Sequence, residues 1–503
     1  MTGTHRSPLF FALLAFFAMI IASSPAIAKD TLRASFMTPP STLHPYGGFV
    51  HTEVSIVIAV YDGLVDRDPS GALIPALATS WESVNPNTWR FHLRKGVKFI
   101  DGTSFTAEDV AYSVEMAKRP VSRFKFVAGK ITETKIIDPH TIDLITKDPW
   151  PILPDALYTT MSIVSKKFCE GKTDDYIAEH PMGTGRYILK EWVRESHVIL
   201  EANKNHWDGV PPIPKVVINP ITNDATRIAG LITGQTDLCV DVPLQFVGEL
   251  QKSDKIKVMS MGGPRIVLFA MRLDNPDLPV AKKEVREALT LAINEEAIIK
   301  HLMNGLAVPA AQLPAPTIRG FNKDLRRPEY NPERSKQLLA GAGYPDGFAV
   351  DLHVSSDRYV MDKEIGVAVA QQLSQIGVKA NLIARPATIH FKDITTNKLD
   401  FFMIGWEEAT FDSARSIETF LKTGAEWGGR YSNPDFDKML LEADKTANLD
   451  ARAKKLADIN KFIADNYLII PLHYEPIVYG LSKDIKVFKP NVKKIISFHR
   501  ISY

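Results

Sequence analysis

Hydrophobic and polar positions alternate most regularly between Trp89 and Arg94. There Trp89, Phe91 and Leu93 are interleaved with Arg90, His92 and Arg94, a period of two that predicts a strand with one buried face. Asp101-Gly102 follows as a turn, because glycine reaches positive φ without steric penalty. Thr106 stands three residues before Asp109, a variant capping box that opens a helix carrying Val110 and Val114. Earlier in the chain, Thr31 to Phe36 reads as a first strand, and 56–64 as an apolar helix ended by Gly63. Further strands are expected at 135–137 and 141–146, making about 66–180 a strand-rich insertion. Tyr187 and Leu189, then Val198 and Leu200, alternate as the strands of a hairpin with Trp192 between them.

Near residue 265 the pattern changes. An apolar strand at 265–273 precedes Val285, Ala288, Leu289, Ala292 and Ile293, whose spacing places them on one face of a helix. After a proline-rich loop (309–316), a helix is expected at 332–340, closed by Gly341 and Gly343, and then a strand at 348–354. Ile365, Ala368, Val369, Leu373 and Ile376 mark the next helix, Gly377 its end, and 378–383 the following strand. DFFMIGW (400–406) reads as a buried strand, Leu456, Ile459 and Ile463 as a late helix, and 468–472 as a closing strand. Helices and strands that alternate across short glycine-bounded links predict an α/β fold.

With 503 residues, the chain is too long for one ordinary core, and two or three domains are expected. A net charge of +2 and the lack of a basic block with interleaved aromatics argue against nucleic acid. Residues 1–28 read as a signal peptide: Arg6, an apolar run at 9–21, and Ala26 and Ala28 before a cut at Lys29. As a helix that run spans only about 20 Å, too short for the hydrocarbon core. No cysteine follows the cut to carry a lipid, and export predicts the oxidising periplasm. Cys169 and Cys239 either form a disulfide there or stay as thiols. No zinc spacing, GxSxG, HExxH or P-loop occurs, so no metal, cofactor or catalytic residue is assigned.

Four stretches carry a resemblance: LATSWE (77–82), TWRFHLRKGVKF (88–99), DGTSFTAEDV (101–110) and the block from MGTGRYILKEW to HWDGVPP (182–212). Their wording resembles the family 5 extracytoplasmic solute-binding proteins of ABC importers, which deliver dipeptides, oligopeptides or nickel complexes. The resemblance implies a two-lobed periplasmic-binding-protein fold with an extra strand-rich subdomain. One lobe spans 29–265 with a return at 480–503 and contains the subdomain at about 66–180; the other spans 268–478. The implied partners are a small-molecule or peptide ligand and the permease subunits, with the binding protein a monomer. An opine-like compound, an organic acid or a nickel chelate is the alternative ligand. A hydrolase on the same scaffold, or a partner of a membrane receptor, is the alternative of another class.

The resemblance also implies site residues. Tyr46 lies in PPSTLHPYGG, the loop that borders the cleft. Arg358 matches an arginine that pairs with the ligand's carboxylate, a task suited to the planar guanidinium fork. Trp406 matches the tryptophan ending the central strand of the second lobe, with Phe411 a second cleft aromatic. Peptide-binding relatives hold the ligand's amine with an aspartate three residues after that tryptophan, where this chain has Ala409. Either Glu407, Glu408 or the retained Asp412 substitutes, or the ligand has no free amine there.

Overall fold

Two long antiparallel strands, Ile256–Met271 and Ile469–Ser482, pair along most of their lengths and form the axis of the molecule. The structure is a computed structural model and describes residues 29–503; the predicted signal peptide lies outside the described residues. On one side of the axis, Leu238–Val240 joins the second long strand and is followed by Thr31–Phe36, Lys215–Pro220 and the hairpin His197–Ala202 with Tyr187–Val193. On the other side, Phe401–Glu407 pairs with the first long strand, followed by Phe348–Ser355 and Val378–Arg385. All belong to one eleven-stranded sheet.

This sheet is buried on both faces. Ile266, Leu268 and Ala270 point into one hydrophobic cluster, while Val267, Phe269 and Met271 point into another. Phe402 and Ile404 divide from Phe401 and Met403 in the same way. Burial on both faces explains why 400–406 reads as a continuous apolar run rather than an alternating one.

The ladder between the long strands shifts register between Gly262 and Ile266. A Cβ on Gly263 would lie 2.7 Å from the Glu475 carbonyl oxygen, so glycine is needed for the backbones to approach there. A bulge bends its strand and re-aims the following side chain; here that side chain is Arg265.

The insertion contains a four-stranded antiparallel sheet, in the order Ala78–Asn85, Thr88–Leu93, Thr141–Thr146, Ile131–Asp138. Beside it runs the helix Ala107–Ala117, whose cap forms as expected. The Asp109 carboxylate accepts from the Thr106 amide at 2.9 Å, and the Thr106 hydroxyl accepts from the Glu108 amide at 3.3 Å.

Some expectations shift. The early helix is His51–Val60 rather than 56–64. Its start is set by the Glu53 carboxylate, which accepts the Phe49 and Val50 amides at 2.7 and 3.1 Å. Its end is covered by the Gly183-Thr184-Gly185 segment, where a Cβ on either glycine would lie 2.1–2.4 Å from Val60 backbone atoms. That GTG therefore serves backbone packing. The predicted face of Val285 to Ile293 is buried, but its helix ends at Leu291. Asn294 then caps a new one, Glu295–Leu302, by accepting the Ala297 amide at 2.9 Å. Cys169 and Cys239 are buried as free thiols, not a disulfide; burial pushes the Cys169 thiol up to about 12, leaving it protonated.

Candidate ligand-binding cleft

Arg265, delivered by the bulge, donates to Glu475 at 3.2 Å from the second long strand and to Glu407 at 3.3 Å from the end of Phe401–Glu407. The other oxygen of Glu475 accepts the Val360 amide at 3.0 Å and so ties down the turn before the helix Asp362–Ser374. Asp362 organises the rest of that turn, accepting from the Ser355 hydroxyl and the Arg358 and Tyr359 amides at 2.7, 3.0 and 3.2 Å. Arg358, exposed as a residue, is thereby held at the backbone, while its guanidinium, 5.6 Å from the Tyr359 ring centre, has no protein acceptor. Across from it, His51 lies 3.9 Å from Glu407. Burial and the cations Lys494, Arg265, Arg358 and Lys493 hold that imidazole well below its usual range, so it is neutral at pH 7.

Successive side chains of a strand point to opposite faces, so Trp406 looks away from Glu407. Its ring meets Phe420 edge-on at 5.5 Å, and the Arg415 guanidinium lies 5.9 Å from it. Arg415 also sits 3.6 Å from the ring centre of Phe126, in the N-terminal insertion. Glu408 is buried, accepting from the Thr410 amide and hydroxyl at 3.3 and 3.0 Å and the Ser416 amide at 3.0 Å. Burial raises its carboxyl pKa. From the C-terminal return, the buried Lys493 ammonium donates to the Ala409 carbonyl at 2.5 Å and lies 4.3 Å from the Phe411 ring centre. The Ala409 carbonyl is thus met by an ammonium from within the chain.

The structure brings Arg358 and Glu407 together around Arg265, and sets Trp406 and Glu408 around Arg415. Three predicted residues are engaged elsewhere. Asp412 is fully buried and takes two 2.8 Å hydrogen bonds from Arg452, with Arg319 at 3.4 Å. Its oxygens are consumed in neutralising a buried cation from the helix Leu449–Asp465. Phe411 is buried beneath Arg67, whose guanidinium lies 3.8 Å from the ring centre. Tyr46 is fully buried and donates to the Ser162 carbonyl at 2.5 Å, so its hydroxyl is spent within the core.

Reasoning from sequence missed Arg265, Glu475, His51, Lys493 and Arg415. Only Arg265 had a local signal, the Gly-Gly-Pro before it; the others are assembled from distant segments. A cavity of about 290 Å³ between Tyr61, Asp62, Trp207 and His499 shares none of these residues. Among the described residues no His, Cys, Asp or Glu cluster is arranged to hold a metal ion, and no helix is long and apolar enough to cross a membrane.

The continuous sheet with two crossing strands and flanking helices is the fold of two-lobed periplasmic binding proteins. HbpA2 from Haemophilus parasuis matches it with a TM-score of 0.86 at 22% identity, covering 94% of this chain and 99% of that one. DppA from Helicobacter pylori, in complex with the peptide STSA, matches with a TM-score of 0.76 at 24% identity, over 94% and 98% of the two chains. The glutathione-binding protein GsiB of Salmonella typhimurium is 28% identical over 487 residues, 94% of each chain. The chain belongs to the bacterial extracellular solute-binding proteins, family 5, whose description matches residues 72–428.

Proposed function

We propose that this chain captures a short peptide or peptide-like anion between two lobes and delivers it to the permease of an ABC importer. Arg358 carries this reading, as a guanidinium with a fixed backbone and no protein acceptor beside the Arg265–Glu407–Glu475 cluster. Arg265 is matched by Glu407 and Glu475, and Lys494 by Asp241. Arg358, Arg415 and Lys493 have no carboxylate within ion-pair distance among the described residues, so the cleft attracts an anion. The relatives support the class of ligand, since one is named for glutathione and another is seen with a peptide. In this reading the lobes are 29–265 with 480–503, and 268–478, the bulge at 262–266 is the hinge, and the protein acts as a monomer without a catalytic step. Ligand closes such a hinge because it gains contacts to both sides only in the closed state.

Native mass spectrometry of the purified protein is expected to reveal a co-purified peptide-like anion. Added back to stripped protein, that compound should reduce the radius of gyration in solution scattering without altering secondary structure. Failure to bind any peptide or peptide-like acid, or turnover of a peptide library, would overturn the reading. Export belongs to the same proposal, with residues 1–28 removed. N-terminal sequencing of periplasmic protein should begin at Lys29, and an uncleaved chain in the membrane pellet would refute that.

A further inference from the structure

We propose that Arg415, Lys493 and the indole N–H of Trp406 form a second anion subsite, which takes a carboxylate other than the one met by Arg358. The ligand class is therefore a peptide-like solute bearing two carboxylates. This rests on the binding function proposed above and narrows it.

Two donors here lack acceptors, and a buried ammonium held on the nearby Ala409 carbonyl is only partly satisfied. Nη1 of Arg415 and Nε1 of Trp406 are both buried and neither has a hydrogen-bond partner in the protein. Lys493 is buried and makes one hydrogen bond, to the Ala409 carbonyl, although an ammonium has three hydrogens to give. Buried donors are rarely left unpaired, because each forfeits its bond to water without replacement, and an unpaired buried cation is worse. The nearby carboxylate of Glu408 meets this charge only in part: it lies beyond ion-pair distance of Arg415, already accepts three hydrogen bonds from Thr410 and Ser416, and is pushed toward the neutral acid by burial, while Glu418 acts on Arg415 from a similar remove.

The geometry also says which group completes the set. Arg415 packs over the Phe126 ring, 3.6 Å from its centre, which closes that side and leaves the rest of the guanidinium for hydrogen bonding. A carboxylate offers two oxygens with about four acceptor sites, enough for a guanidinium edge, an indole N–H and an ammonium together. A neutral acceptor would satisfy the hydrogen bonds but leave the buried charge of Lys493 and the half-buried charge of Arg415 unmatched. A ligand ammonium would add a third, so a free amine is rejected here. The Arg358 subsite is separate, because Trp406 and Glu407 face opposite sides of the strand end. Lys493 feels the charges of Glu407, Glu408, Arg67 and Arg415, and its bond to the Ala409 carbonyl sets it three residues beyond Trp406.

The test exposes stripped protein to a synthetic mixture of dipeptides and tripeptides, free, N-succinylated or C-amidated, together with glutathione, and identifies retained species by native mass spectrometry. Retention of species with two carboxylates, reduced about tenfold or more in Arg415→Gln and partly restored in Arg415→Lys, is the expected result. Retention of species with a single carboxylate, equally by wild type and Arg415→Gln, would overturn the second subsite while leaving the binding function intact. Retention of nothing in the mixture would overturn the peptide reading itself, and the subsite with it. Folding supplies an independent check: Arg415→Gln should melt no lower than wild type, since the half-buried guanidinium makes no hydrogen bond or ion pair among the described residues, and a marked drop would show an internal structural role. A further readout is protonation. Burial lowers Lys493 to about 8, and a carboxylate beside it favours the charged form, so binding at pH 8 should take up protons. Calorimetry in two buffers of different ionisation enthalpy should show this uptake in wild type and its loss in Lys493→Met; equal uptake in both would remove Lys493 from the subsite.

Discussion

Arg358→Ala should weaken a carboxylate-bearing ligand by about 100-fold or more, roughly 2.7 kcal/mol. Losing one partner of a desolvated ion pair costs about 3–5 kcal/mol, whereas losing an exposed pair costs at most about 1. Arg358 is exposed as a residue while burial already lowers the pKa of its guanidinium, so the outcome measures how much further ligand desolvates it. Its backbone is held by Asp362, and its side chain makes no hydrogen bond whose loss would disturb the fold, so stability should be unchanged. Calorimetric titration alongside a melting curve separates the two effects. An affinity within a few-fold of wild type would remove Arg358 from the site. Ala409→Asp is the companion substitution. Its carboxylate would stand beside the Lys493 ammonium and occupy the charge that the second subsite offers to a ligand, so it should weaken a ligand with two carboxylates.

Asp412→Ala should act on stability by about 3–5 kcal/mol, the usual cost of breaking a buried pair from one side. Asp412 sits in a continuous chain of opposite charges: Arg452 at 2.8 Å, Arg319 at 3.4 Å, then Asp155 at 3.2 Å from Arg319, and Arg67 on Asp155. Arg452 is 2% exposed at the side chain, so it cannot turn to water when Asp412 is removed, and Asp444 at 3.1 Å then remains as its one carboxylate among the described residues. Arg67 and Asp155 belong to the N-terminal insertion, while Arg319, Asp412 and Arg452 come from the later half, so the chain of charges ties the two together. The urea midpoint should fall sharply, and in surviving folded protein the ligand affinity should change little. A variant with normal stability and lost binding would make Asp412 a ligand contact instead.

The contrast between Arg358 and Asp412 shows where sequence reading ends. Both are charged residues near an element boundary, and the family resemblance implies a cleft position for both. Arg358 is left unpaired because no acid from another segment reaches it. Asp412 is consumed because Arg452, forty positions on, enters the same space. Nothing within a few residues of either position records that difference. Tyr46 and Phe411 diverge from the cleft for the same reason, as Ser162 and Arg67 come from elsewhere in the chain to cover them.

The features legible along the chain are those whose causes are local. The Thr106–Asp109 cap, the alternation from Trp89 to Leu93, the turn at Gly102, the end of a helix at Gly377 and the apolar run of the strand at 401–407 need only neighbouring residues to specify them. The wording of 77–110 and 182–212 carried the family. Only the tertiary structure decided which charges meet. Lys493 reaches Ala409 across 84 positions, and Arg265 reaches Glu475 across 210. A buried charge takes its role from the groups left within a few ångströms once the chain has folded, because the interior offers no water to replace a missing partner.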